Sequence, residues 1–200
     1  MNVLIICGGQ SAEHEVSLQS TKSVLAAIDQ GKFNIVLAGI DKGGRWNRYD
    51  PSDFLTDADD PSRIALANPG DEICLVSRDR VGHLVSVGGQ GEWWKIDAAF
   101  PVLHGTFGED GEVQTILNER GVPYTGSGAT ASRVAFDKQR SKRKFLACGV
   151  PTPAFAMVSP GDPCVSDPHA GNDLRDKYPA PETGSNHQTI PSYMTETRPG

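Results

Sequence analysis

The first forty residues spell a strand, a helix and a second strand, and this order restricts the fold more than any other feature of the chain. Val3 to Cys7 is a continuous apolar run with β-branched members, stopped at once by Gly8-Gly9. Such a run reads as a strand covered on both faces and feeding a turn. From Val16 to Gln30 the residues Leu18, Thr21, Leu25 and Ile28 recur at three- and four-residue steps, with Val24 and Ala27 widening the stripe. That spacing predicts an amphipathic helix, and Gly31 stands where its C-cap belongs. Phe33 to Ile40 supplies the next strand. A βαβ unit closes with a right-handed crossover, and ligands gather at the carboxyl ends of its strands. The expected class is therefore α/β, a mostly parallel sheet with helices on both faces.

Residues 41–72 carry Gly43-Gly44, Pro51, Pro61, Pro69 and the acidic group Asp57, Asp59 and Asp60, which reads as irregular surface without chemistry. Ile73–Val76, Gly82–Val87 and Glu92–Ile96 read as short strands, the last two joined as a hairpin across residues 88–91. On such a hairpin one of Trp93 and Trp94 covers the core and the other stays half exposed. Asp97–Leu103 predicts a further central strand, Val113, Ile116 and Leu117 a helix closing at Gly121, and Val122–Thr125 a short strand. Ala129–Phe136 and Asp137–Cys148 read as helices, the second ended by Gly149, and the prolines of 150–153 impose extended chain. Ala154–Val158 could open a strand. Seven prolines then follow, from Pro160 to Pro199, with only isolated apolar side chains, so 159–200 is expected to be mobile.

Composition excludes several function classes. A net charge of −6 leaves no basic footprint for nucleic acid. No stretch approaches the roughly 18 apolar residues of a membrane span, and the opening run is too short for a secretory leader. Cys7, Cys74, Cys148 and Cys164 lack metal or redox spacing and suit a reducing cytoplasm, with Cys7 and Cys148 in apolar settings that suggest small buried hydrophobes.

Two loops could carry chemistry. Gly8 to Ser17 lies between a buried strand and a helix start, where glycines allow close backbone approach, free amides favour an anion and the acidic side chains can accept from an ammonium group, so a zwitterion is a natural guest. The blander explanation is that the acids complement the helix dipole and Ser17 caps the helix. Phe100 to Gly111 repeats the strand-to-helix arrangement, with His104 on the same expected edge. His14 reads as a partly exposed loop residue. Between Lys138 and Lys144 five basic residues fill seven positions. Helical spacing pairs Lys138 with Lys142 and Arg140 with Lys144 on different sides, so at most one or two could reach a phosphate.

Taken together, GGQSAEHEVSLQS at 8–20, FPVLHGTFGEDGEVQ at 100–114, GVPYTGSGATAS at 121–132 and DKQRSK at 137–142 resemble the amino-terminal signatures of the D-alanine:D-alanine ligases, of the ATP-grasp superfamily. The resemblance runs from about Asn2 to Val158. It implies a Rossmann-like domain preceding the ATP-grasp domain over 1–128, the first helix and strand of an incomplete ATP-grasp domain over 129–158, and an unrelated tail over 159–200. It implies a reaction for peptidoglycan synthesis in which ATP, with magnesium, phosphorylates the carboxylate of one D-alanine and the amine of a second attacks the acyl phosphate. Gly8, Gly9, Glu13, His104 and Gly105 then line the D-alanine site. Glu13 holds the ammonium group, Ser17 orients Glu13, His104 lies beside the carboxylate, and Lys138 reaches the ATP phosphates. The family is cytoplasmic and typically dimerises through this domain. The resemblance also leads one to expect a second phosphate-binding lysine, a covering loop and metal-binding acids, none of which appears in this sequence, so these 200 residues alone are expected not to ligate. Two alternatives are a non-catalytic remnant serving as a binding or dimerising module, and another ATP-grasp amino-acid ligase.

Overall fold

The computed structural model describes residues 1–88, 93–153 and 155. They form β1 (Asn2–Gly8), α1 (His14–Ala27), β2 (Asn34–Ile40), β3 (Trp46–Tyr49), β4 (Leu55–Thr56), β5 (Ala65–Leu66), β6 (Ile73–Arg78), β7 (Val81–Ser86), β8 (Trp93–Lys95), β9 (Ala98–Pro101), α2 (Glu112–Glu119), α3 (Ala129–Phe136) and α4 (Lys138–Ala147). The chain divides into two compact units, Met1–Asp137 and a second beginning at Lys138.

The principal sheet of the first unit has the order β3-β2-β1-β9. β1 lies parallel to β2 from Asn2↔Asn34 to Gly8↔Ile40, and parallel to β9 from Val3↔Ala98 to Ile6↔Pro101. Alternation along a strand sends successive side chains to opposite faces. Leu4 and Ile6 accordingly join Val36, Ala38, Ile40 and Ala99 in one cluster with Val113 and Leu117 of α2. Val3, Ile5 and Cys7 join Leu37 in another with Leu18 and Leu25 of α1. Helices thus cover both faces of the α/β sheet, as its uninterrupted apolar strands require. Beyond β9, Ala99 bridges in parallel to Tyr124. The expected strand Val122–Thr125 reduces to this single bridge.

Several boundaries differ from expectation. α1 starts at His14 and stops at Ala27, because Ile28 turns extended while its amide still bonds the Val24 carbonyl. Gly31 is not the cap. The turn is built by Asp29, whose carboxylate accepts the Gly31 amide and whose carbonyl accepts those of Lys32 and Phe33. Residues 41–72 are not merely irregular surface, since β3 extends the sheet antiparallel to β2 and β4 pairs with β5. Tyr49, Phe54 and Ile64 are buried there, and Tyr49 packs on Gly39, where a Cβ would stand 2.5 Å from its ring. α2 does end as expected: the Gly121 amide bonds the Asn118 carbonyl and that of Val122 the Leu117 carbonyl, a Schellman closure with Gly121 at φ +70°. In the second unit Gly149 ends α4 in the same way.

β6, β7 and β8 form a separate antiparallel sheet. Trp94 packs against the core with the Arg48 guanidinium 4.9 Å from its ring centre, while Trp93 is 51% exposed. Of the hairpin connection expected across 88–91 only Gly88 is described, of the strand expected at 154–158 only Phe155, and the tail at 159–200 lies outside the described residues. Among the described residues no helix is long and apolar enough to cross a membrane.

Cys7 is buried, and burial pushes its thiol up to about 12, with a hydrogen bond to Thr21 pulling weakly the other way. Cys148 is exposed rather than buried, because α4 buries none of its residues. Against an ordinary thiol near 8.5, Cys7 holds on the order of a thousandfold less thiolate at pH 8. Peptide-resolved alkylation is expected to label Cys74 and Cys148 in the native protein and Cys7 only after denaturation.

Candidate functional site

The carboxyl ends of β1, β2 and β9 point to one rim. β1 runs out into Gly8 and Gly9 at φ +83° and +101°, and the Gly9 amide bonds the Ile40 carbonyl at 2.8 Å. A Cβ on Gly8 would sit 2.3 Å from that same carbonyl oxygen, so only glycine lets the turn lie against the end of β2. His14, expected as a partly exposed loop residue, is 4% exposed, and its Nδ1 lies 2.6 Å from the Gly9 carbonyl oxygen. Burial and that contact make it part of the turn's scaffold.

Ser17 does not cap α1. Its hydroxyl, fully buried inside the helix, accepts the Gly8 amide at 2.8 Å and donates to the Val102 carbonyl. Neither bond reaches the Glu13 carboxylate, so Ser17 locks the ends of β1 and β9 to the helix instead of orienting Glu13.

Ser11 joins the two loops. Its hydroxyl accepts the Glu13 amide at 3.1 Å and donates to the His104 carbonyl at 2.7 Å. Gly105, at φ +68°, brings its backbone so close that a Cβ there would stand 3.0 Å from Glu13 Oε2 and 3.2 Å from Ser11 Oγ. Glu13 and His104 therefore share one rim. Ser20, on α1, places its hydroxyl 3.2 Å from His104 Nε2. Neither Ser11 nor Ser20 stands out in the sequence. Only the placement of serine beside a glycine turn, and at one helical step from Ser17, hints at them.

The two glutamates of the first motif differ. Lys42 lies 2.5 Å from Glu15 and holds its carboxyl below the ordinary range, chiefly by hydrogen bonding, so Glu15 is already engaged. Glu13 is exposed and, although it occupies the N-cap position, makes no capping bond with its side chain. Its carboxylate has no ion-pair partner among the described residues, which leaves its acceptor capacity available. In the second loop the acids work internally: Glu109 accepts the Gly105 amide, while Asp110 accepts those of Phe107 and Glu112. Gln114 donates to the Gly108 carbonyl from a buried position.

Lys138 opens α4 in the second unit and is exposed. Farther along that helix the Lys142 ammonium lies 4.9 Å from the Phe155 ring centre. A hollow of about 450 Å³ lined by Met1, Lys32, Asn34 and Pro51 lies at the amino ends of β1 and β2, the opposite end from the rim. It gathers none of the groups above.

The fold is that of an α/β domain with a mixed sheet, in which two glycine turns, a carboxylate and an imidazole lie at the carboxyl ends of the central strands, the edge where ligands gather in such sheets. The chain is a member of the D-Ala–D-Ala ligase family: the family described as "D-ala D-ala ligase N-terminus" matches residues 2–127. It is 42% identical over 159 residues to D-alanine–D-alanine ligase A of Chromobacterium violaceum, a match covering 80% of this chain and 43% of that ligase. The D-alanine-D-alanine ligase structure from Coxiella burnetii superposes with a TM-score of 0.71 at 28% identity, over 89% of this chain and 49% of that one. A Bacillus anthracis D-alanine–D-alanine ligase complexed with ATP aligns with a TM-score of 0.50 at 26% identity, over 81% of this chain and 41% of its own. The chain thus spans less than half the length of these relatives.

Proposed function

We propose that this chain supplies the D-alanine-holding part of an ATP-dependent D-alanine:D-alanine ligase, residues 1–128 forming the substrate domain and 129–158 the opening of the nucleotide-binding domain. The observation that carries this reading is the approach of Gly105 to the Glu13 carboxylate, with Ser11 bonded to both loops. In the proposed site Glu13 accepts from the ammonium group of the first D-alanine through charge-assisted bonds, and His104 donates toward its carboxylate. Ser17 and Ser11 hold the two turns at fixed separation, so the zwitterion meets a preformed frame.

ATP, when bound, supplies the phosphoryl group that activates the carboxylate. Of the described residues Lys138 fits it by chemistry, an exposed ammonium at the head of a basic helix that can pair with a phosphate. Magnesium accompanies ATP in this proposal, and no described residue is assigned to it.

Calorimetric titration of the 200-residue polypeptide with D-alanine and L-alanine tests the site. Binding of D-alanine is expected, and Glu13→Ala is expected to weaken it by about 1.5–3 kcal/mol, the contribution of a hydrogen bond to a charged group. An isotherm unchanged by Glu13→Ala removes that residue from the site.

A further inference from the structure

We propose that Ser20 is a positioning residue that sets the tautomer of His104, placing the ring proton on Nδ1. This rests on the D-alanine reading for its functional consequence, but the tautomer stands on geometry alone.

His104 is held at two points. Its carbonyl accepts from Ser11 at 2.7 Å, and its Nε2 lies 3.2 Å from the Ser20 hydroxyl. Ser20 stands one helical step beyond Ser17, whose hydroxyl holds the Val102 carbonyl two residues before His104, so α1 stitches this strand end at successive points. A neutral imidazole has one donor and one acceptor nitrogen, and the partner of one decides the role of the other. A helical serine commonly turns its proton back to the carbonyl four residues earlier, as Ser23 does to Gln19 and Thr21 to Ser17. Ser20 makes no such bond, and the imidazole is its side chain's hydrogen-bond partner among the described residues.

The Ser20 proton is therefore free to be donated to Nε2, which makes Nε2 the acceptor and leaves the proton on Nδ1. The reverse arrangement would leave the hydroxyl proton without a protein acceptor. It would also leave a lone pair on Nδ1, the nitrogen turned away from Ser20. A protonated Nδ1 is the tautomer that can donate to a carboxylate. The other would repel one.

Imidazole ¹⁵N shifts of the uniformly labelled full chain, recorded where the ring is neutral, test this directly. The expected spectrum shows His104 with a pyrrole-type Nδ1 and a pyridine-type Nε2. Ser20→Ala is expected to move it toward a tautomer mixture, and Ser20→Thr to restore the wild-type pattern, with thermal midpoints unchanged. D-Alanine affinity should fall about two- to tenfold in Ser20→Ala, the range for one neutral hydrogen bond, and recover in Ser20→Thr. A wild-type ring protonated on Nε2, or a tautomer indifferent to Ser20→Ala in a folded protein, overturns the proposal. A ring that responds as expected in a chain that ignores D-alanine upholds the tautomer assignment and overturns the ligand reading instead.

Discussion

Replacing Ser17 with alanine is expected to lower the unfolding free energy by about 2–6 kcal/mol. The hydroxyl is fully buried and serves the Gly8 amide and the Val102 carbonyl at once. Its removal leaves both backbone groups without that partner where little water can replace it, at about 1–3 kcal/mol for each buried unsatisfied group. The comparison is Ser23→Ala on the exposed side of the same helix, where only the local bond to the Gln19 carbonyl is lost and the change should stay within about 0.5 kcal/mol. Urea denaturation of the two variants separates the cases. Equal midpoints would show that the buried hydroxyl does not tie the strand ends together.

Gly8→Ala is expected to be at least as damaging, by about 2–6 kcal/mol. One part is the left-handed backbone at φ +83°, which costs a side-chain-bearing residue about 1–3 kcal/mol. Another is steric, since the new methyl would stand 2.3 Å from the Ile40 carbonyl oxygen and 3.1 Å from His14 Cε1, adding about 1–3 kcal/mol of overpacking. Gly126 makes a useful reference. It also has positive φ, but a Cβ there meets nothing within 4 Å. Gly126→Ala carries the conformational cost without the collision, and the difference between the two variants isolates the close approach of β1 to the end of β2.

Much of the sheet was legible because its central strands are covered on both faces. Val3–Cys7 and Phe33–Ile40 are continuous apolar runs with no other stable home, and Gly121 announced the end of α2 through its left-handed requirement. The region 41–72 was not legible, since Tyr49, Phe54 and Ile64 are single buried side chains separated by Asp-Ser turns and carry no period. Cys148 misled because its apolar neighbours Phe145 and Leu146 suggested a covered helix face, whereas both are exposed.

Within the candidate site, His104 and the glycines were legible as candidates from residue type and position at strand ends, and Glu13 through the family resemblance. Ser11, Ser20 and the true role of Ser17 were not. Each acts across 84 to 93 residues of sequence, on a carbonyl or ring that no local pattern reveals. His14 was misjudged for a related reason, because its burial comes from the way the first turn folds back on the helix start.

In the proposed function the turns at Gly9–Glu13 and His104–Gly105 act as one receptor for a small zwitterion. A backbone ¹⁵N amide-shift titration with D-alanine tests it most directly. The amides of both turns should move together along a single saturation curve, with those around Lys32 and Asn34 at the other end of the strands unmoved. Shifts confined to one turn, or two turns saturating at different concentrations, would contradict it.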